Sequence, residues 1–208
     1  TIYYIYVIIV SGDFMLKIES ISYNDKKSLF EITVEDEKFL VSYEELEEYK
    51  FSVGMDISFD IYKELSVLSN KNLGFCLALK YTSSRLISSH KLRDYLRGKD
   101  IDEDSINMII DELVENGIIN DKLYLEYYIS DKMNLNLWSK KQIYFELLKI
   151  GFKGNEVDIF LEDYTRADEV KVIKETIESK KLISRKGKDK TISYLARKGF
   201  NYDLINSV

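Results

Sequence analysis

The sequence predicts a mainly α-helical protein: tandem three-helix, helix-turn-helix-like repeats in an elongated array, preceded by a small mixed α/β N-terminal module. Two observations carry that prediction. One apolar ladder recurs three times: Leu92, Leu96, Ile101, Ile106, Ile109; then Ile143, Leu147, Phe152, Val157, Phe160; then Thr191, Leu195, Phe200, Ile205, Val208. Its spacing is four, five, five and three residues each time, broken only by the polar Thr191. Before Leu65 the pattern changes to short apolar runs separated by turn residues, which is strand chemistry. A supersecondary unit that recurs stacks on its neighbours and builds an extended surface, so the ladder favours gripping something large over enclosing a small molecule.

The elements follow in chain order. Ile2 to Val10 is apolar and aromatic, but too short to span a bilayer as a helix and without the cationic front of a signal peptide. Gly12-Asp13 is encodable by a purine-rich sequence like a ribosome-binding site, so residues 1–14 are expected to be translated leader and Met15 the native start. A buried β-strand is the competing reading. Residues 15–74 form the β-rich module. Ile18, Ile21 and Tyr23, then Leu29, Ile32 and Val34, then Phe39 and Val41 give two or three antiparallel strands joined by polar turns. Ser42-Tyr43-Glu44-Glu45 is a capping box that opens a short helix, and Gly54 precedes an extended piece at Ile57 to Ile61.

Beyond Phe75 the period is helical, with a first repeat over 75–137, a second over 138–183 and a partial third over 184–208. Asp102 caps a helix with the stripe Ile106, Ile109, Ile110, Leu113 and Val114, stopped at Asn116-Gly117. Ser139 to Gln142 reads as a second capping box, opening a helix that ends at Gly151, and Arg197-Lys198-Gly199 ends its counterpart in the third copy. Third helices are expected from Asp121 to about Asn134 and from Ala167 to about Lys180.

Composition excludes several function classes. A single cysteine, Cys76, and a single histidine, His90, leave no disulfide framework and no Cys/His zinc cluster. Cys76 reads as a small buried residue beside Leu77 and Leu79. No Gly-rich phosphate loop occurs, and carboxylate pairs such as Glu47-Glu48 sit in solvated charge runs, so neither an enzyme nor a cofactor is expected. The net charge of -6 is confined to the front: residues 1–74 hold 7 Lys and Arg against 14 Asp and Glu, whereas residues 75–208 hold 23 against 22.

The helical half carries the candidate contact residues. Lys91, Arg93, Arg97 and Lys99 lie on the first opening helix, and Lys140, Lys141 and Lys149 on the second. Between Lys180 and Lys198 the run Lys180, Lys181, Arg185, Lys186, Lys188, Lys190, Arg197 and Lys198 is opposed by Asp189 alone. Most helical lysines only solvate an exposed face, and a flexible linker would also be basic. A cluster of this density is nevertheless a plausible footprint for phosphates or for an acidic protein groove. Tyr124, Tyr127, Tyr128 and Trp138 read as packing residues at their spacing, although base stacking would use the same types.

The stretch Ser89 to Asn120 and the following DKLYLEYYISDKMN resemble the first repeat of the RecX family of bacterial recombination regulators. SKKQIYFELLKIGF and YLARKGFNYDLI are similar to its second and third repeats, and Met15 to Leu65 to an N-terminal extension of some members. Lys99-Asp100 stands where the family usually has Lys-Gly, and Asn120-Asp121 where it has Asp-Asp. One cysteine fits a reduced, cytoplasmic setting, and with no long coiled-coil seam a monomer is the default; the resemblance implies a regulator that needs no catalytic residue. Its partner would be the RecA recombinase filament, with single- or double-stranded DNA as a further contact, and its effect a restraint on ATP hydrolysis and strand exchange. The basic residues named above are then the expected contact surface. A sequence-nonspecific nucleic-acid-binding protein built from helix-turn-helix-like units is the rival reading.

Overall fold

The computed structural model describes residues 15–208, so the leader expected over 1–14 lies outside the described residues. Strands β1 (Met15–Asn24), β2 (Leu29–Val34), β3 (Glu37–Val41) and β4 (Asp56–Ser58) form one antiparallel sheet in the order β3-β2-β1-β4. Glu35 and Asp36 link β2 to β3, both with positive φ, which matches the twist of a tight two-residue hairpin. A shift in register between Ile18 and Ser20 puts a bulge in β1. Helix α1 (Tyr43–Glu48) opens on the expected capping box: Ser42 Oγ accepts the Glu45 N–H at 3.1 Å and the Glu45 carboxylate accepts the Ser42 N–H at 2.9 Å.

The extended piece expected at Ile57 to Ile61 ends at Ser58, whose hydroxyl caps helix α2 (Phe59–Thr82). This helix was not expected before Phe75. It is illegible as an amphipathic stripe because it is covered on two sides, by the sheet and by a later helix, and its apolar residues do not segregate to one face. Leu65 joins the sheet core of Leu16, Ile18, Ile32, Val34 and Ile57. Ser69 Oγ accepts the Leu40 N–H and Asn72 Nδ2 donates to the Leu40 carbonyl, so α2 side chains occupy the outer edge of β3. Cys76 on α2 is only half-buried, its Sγ 3.7 Å from the Lys27 carbonyl, rather than packed beside Leu77 and Leu79.

The helices that follow are α3 (Ser89–Arg97), α4 (Glu103–Glu115), α5 (Asp121–Asn134), α6 (Lys140–Ile150), α7 (Gly154–Leu161), α8 (Arg166–Ser179), α9 (Leu182–Lys186), α10 (Lys188–Arg197) and α11 (Tyr202–Asn206). Gly74 lets α2 and α4 meet closely, since a Cβ there would stand 2.7 Å from Ile109 Cδ1. The two departures from the family pattern have local explanations. Asp100 holds φ 59, the left-handed turn that Gly takes without cost, and Asn120 caps α5 by accepting the Leu123 N–H at 2.9 Å.

Contacts divide the described residues into two compact units, one of residues 15–85 and 92–119 and the other of residues 86–91 and 120–208. In the second, Leu125, Ile143, Leu147, Phe152, Val157, Ile173, Leu195 and Phe200 share one core. The ladder is buried at thirteen of its fifteen rungs. The exceptions correct the expectation: Phe160 is half-buried with Leu161 taking the inner position, and Val208 is 46% exposed. Val114 also faces out rather than joining the α4 stripe. Among the described residues no helix is long and apolar enough to cross a membrane, and no cluster of His, Cys, Asp and Glu is placed to hold a metal.

Candidate basic interaction surface

The basic candidates fall into two chemical groups, those already engaged within the fold and those that are not. On α3, Arg93 donates to Glu103 Oε2 at 3.2 Å and to Asn107 Oδ1 at 2.7 Å. Arg97 forks onto the same Glu103 carboxylate through Nε and Nη2. That pairing holds the Glu103 carboxyl below, and the Arg97 guanidinium above, their ordinary ranges. Lys91 is half-buried with its ammonium 5.4 Å from the Tyr124 ring, and Lys99 lies 5.8 Å from Tyr95. Lys140 donates its N–H to Glu169 and its ammonium to the Tyr164 carbonyl, each at 3.2 Å, while Lys149 pairs with Glu146 at 2.6 Å. These side chains are spent on the fold itself.

Four of the second group, Lys141, Lys186, Arg197 and Lys198, converge on one groove. Ser139 caps α6 by accepting the Gln142 N–H at 3.1 Å, and its hydroxyl donates to the Lys198 carbonyl at 2.7 Å. The expected reciprocal half of this capping box does not form, and Gln142 Oε1 is buried without a hydrogen-bond partner. Gly199, at φ 91, makes the approach feasible, because a Cβ would stand 2.7 Å from Ser139 Oγ. The start of α6 is thereby fastened to the end of α10. The same junction recurs one repeat earlier, where Gly151 at φ 117 sits against His90.

This junction opens a groove of about 740 Å³ lined by Lys141, Phe145, Lys186, Tyr194, Arg197 and Lys198, with Glu146, the partner of Lys149, as the carboxylate on its wall. The basic segment at its side, for which a flexible linker was the competing reading, is folded into α9 and α10. Among the described residues, Lys141, Arg185, Lys186, Lys188, Lys190, Arg197 and Lys198 form no ion pair. Arg185, Lys188 and Lys190 are exposed on α9 and α10 but do not line the groove.

Tyr194 is its aromatic centre. Lys180 donates to the phenol oxygen at 3.1 Å, and the Lys186 ammonium lies 4.6 Å from the ring centroid. Partial burial works against ionising this phenol, yet the Lys180 hydrogen bond and the fields of Lys180, Lys198 and Lys186 bring its pKa down overall. The same ammonium groups also favour an anion placed beside the ring. Phe145 adds a second aromatic, half exposed. Neither Phe145 nor Tyr194 stood out in the sequence, although Tyr194 lies three and four residues before Arg197 and Lys198, on one helix face. Of the aromatics that did, Tyr124 is buried, 6.0 Å from the Phe152 ring, and Tyr128 and Trp138 are half-buried, whereas Tyr127 is exposed.

No protein-family model matches the sequence. Individual relatives do. The chain is 29% identical over 199 residues to the regulatory protein RecX of Finegoldia magna, spanning 92% of this chain and 97% of that protein. It is 29% identical over 182 residues to the regulatory protein RecX of Caldanaerobacter subterraneus subsp. tengcongensis, spanning 87% and 83%. A crystal structure of RecX from Lactobacillus salivarius, 32% identical, matches with a TM-score of 0.59 over 66% of this chain and 93% of that one. Another crystal structure of regulatory protein RecX, 18% identical, shares the fold over 92% and 97% with a TM-score of 0.71. The likeness runs through both the sheet module and the helices, and this chain belongs to the RecX family of regulatory proteins.

Proposed function

We propose that this chain regulates the RecA recombinase by binding the RecA–DNA filament through the groove around Tyr194, restraining ATP hydrolysis and strand exchange. The observation that carries the reading is the convergence of Lys141, Lys186, Arg197 and Lys198 on one groove, none of them in an ion pair among the described residues. Cations without internal partners raise the cost of leaving the groove empty of anions and match an acidic protein surface or the phosphates it holds. No bond is made or broken by the chain: it acts by occupying the filament and holding it in one state, in the cytoplasm where the filament forms. The mixed helical repeats offer successive contact points, which suits a filament of identical subunits.

The test is single-stranded-DNA-dependent ATP hydrolysis by the cognate RecA in the presence of the purified chain. Inhibition at less than one regulator per recombinase supports the filament reading, because one bound molecule must then affect several subunits. An unchanged rate at equimolar chain rejects it.

The interleaving of Phe145 and Tyr194 with the lysines favours one second reading, a sequence-nonspecific nucleic-acid binder in which phosphates meet the cations and bases stack on the rings. That reading requires tight binding to DNA alone, with affinity falling steeply as salt rises.

A further inference from the structure

The groove around Tyr194 does not end at Phe145. A second basin of about 540 Å³ shares Lys141, Phe145, Ala196 and Gly199 with it, so the two form one trough that passes over the Phe145 ring. The far basin is walled by Tyr144 on α6, Asp158 on α7, Glu169 on α8 and Tyr202 on α11.

The middle of the trough is aromatic and open. Phe145 is 50% exposed and Tyr202 59%, and Tyr144 meets the Phe145 ring edge-on, with centroids 5.6 Å apart and planes at 83°. Aromatics left this exposed along a concavity are the residue type that anchors a protein partner, because each buries a large area while freezing only two torsions.

Its two ends carry opposite charge. Lys186, Arg197 and Lys198 stand at the near end, and the Glu146 carboxylate beside them is taken by Lys149. At the far end Asp158 is exposed and forms no ion pair among the described residues. Its neighbour on the lining, Glu169, accepts the Lys140 N–H, yet burial still holds its carboxyl above the ordinary range. The Lys140 ammonium in that basin is engaged by the Tyr164 carbonyl. A cation arriving at Asp158 and Glu169 is therefore favoured, whereas a phosphate there is opposed. A nucleic-acid strand carries one sign of charge along its whole length and suits the near end alone.

We infer that the occupant of this trough is a protein segment with carboxylates at one end, a lysine or arginine at the other, and an apolar side chain between them seated on Phe145 and Tyr202. The carboxylates meet Lys186, Arg197 and Lys198, and the cation meets Asp158 and Glu169. This rests on the reading of the near groove as the RecA-binding surface and adds Asp158 and Tyr202 as the residues that select the segment.

Asp158→Lys separates the two partner chemistries by sign, since it repels the segment's cation but would attract a phosphate. The test is inhibition of single-stranded-DNA-dependent ATP hydrolysis by RecA with the full chain, with Asp158→Lys and with Phe145→Ala/Tyr202→Ala, the folding of each verified by circular dichroism. Each variant is expected to need at least about tenfold more chain than the parent for half inhibition. Inhibition equal to the parent's in either variant overturns the inference and leaves the RecA reading standing. Stronger inhibition by Asp158→Lys overturns it too, and tighter binding of that variant to a fluorescein-labelled oligothymidylate, followed by anisotropy, then assigns the trough to a nucleic-acid strand. No inhibition by the parent overturns the RecA reading and the inference with it.

Discussion

The Ser139 hydroxyl donates to the Lys198 carbonyl at 2.7 Å while accepting the Gln142 N–H, so one side chain caps α6 and holds the end of α10 against it. Lys141 and the pair Arg197 and Lys198, distant in sequence, reach the same groove because of that bond. Gly199→Ala puts a Cβ 2.7 Å from Ser139 Oγ on a backbone at φ 91. It is expected to cost roughly 1–3 kcal/mol of stability, from the left-handed backbone and the displaced hydroxyl together. Urea unfolding of the variant measures this, and a loss below a few tenths would show that the junction does not depend on Gly199.

Arg93 and Arg97 are expected to matter little for a partner, because Glu103 already engages both. Arg97→Ala and Glu103→Gln should leave regulation of RecA within about twofold of the parent, as rim charges with internal partners do. Titration of inhibition against regulator concentration decides this. A large loss in Arg97→Ala with intact folding would move the contact surface to α3.

Two glutamates give stability opposite responses to acid. Burial works against the charge of Glu45, but Lys71, the Ser42 N–H and Asn72 outweigh it and hold the carboxyl below its ordinary range. The unfolded chain therefore takes up the proton first. The stabilisation is present above the unfolded value of about 4.3 and is lost as pH falls through the folded value. Burial raises Glu169, with the Lys140 N–H and the Lys140 and Arg166 charges offsetting it only in part. This group costs stability at neutral pH and ceases to do so as pH falls through its folded value toward the unfolded one. Glu169→Gln should raise the melting temperature at pH 7 with the gain shrinking toward pH about 4, whereas Glu45→Gln should lower it at pH 7 and flatten the acid loss. Melting curves across that range are the check.

Asp100→Gly should stabilise. Asp100 holds φ 59 at the α3–α4 turn, and its carbonyl bond from Asn70 at 3.3 Å is a backbone contact that Gly retains. Relief of the left-handed strain is worth about 0.5–1 kcal/mol after the entropy that Gly adds to the unfolded chain. A lower unfolding midpoint in urea would refute this account of the turn.

What could be read from the sequence was mostly local. Ser42, Asp102 and Ser139 lie three residues from the N–H groups they cap, so the helix starts at α1, α4 and α6 were legible. The strands were legible too, because period-two burial leaves its mark within each run. Helix α2 was not, since two coverings spread its buried residues Leu65, Asn72, Gly74 and Ala78 around the helix. The site was half-legible. The density of lysines between Lys180 and Lys198 pointed to the region, but Arg93, Arg97 and Lys140 looked equally free. Their side-chain partners, Glu103 and the Tyr164 carbonyl, become neighbours only through folding. Phe145 and Tyr194 went unread for the same reason: an aromatic on a helix looks like core until the helix is placed.

The central claim is that the groove around Tyr194, rather than α3, is the regulatory surface. Its direct test is inhibition of single-stranded-DNA-dependent ATP hydrolysis by RecA with the triple variant Lys141→Glu/Arg197→Glu/Lys198→Glu, whose side chains are exposed and unpaired among the described residues. The account predicts that at least about tenfold more of the folded variant is needed for the same inhibition, with affinity for DNA alone too weak to explain the parent's effect. Inhibition equal to the parent's would contradict it.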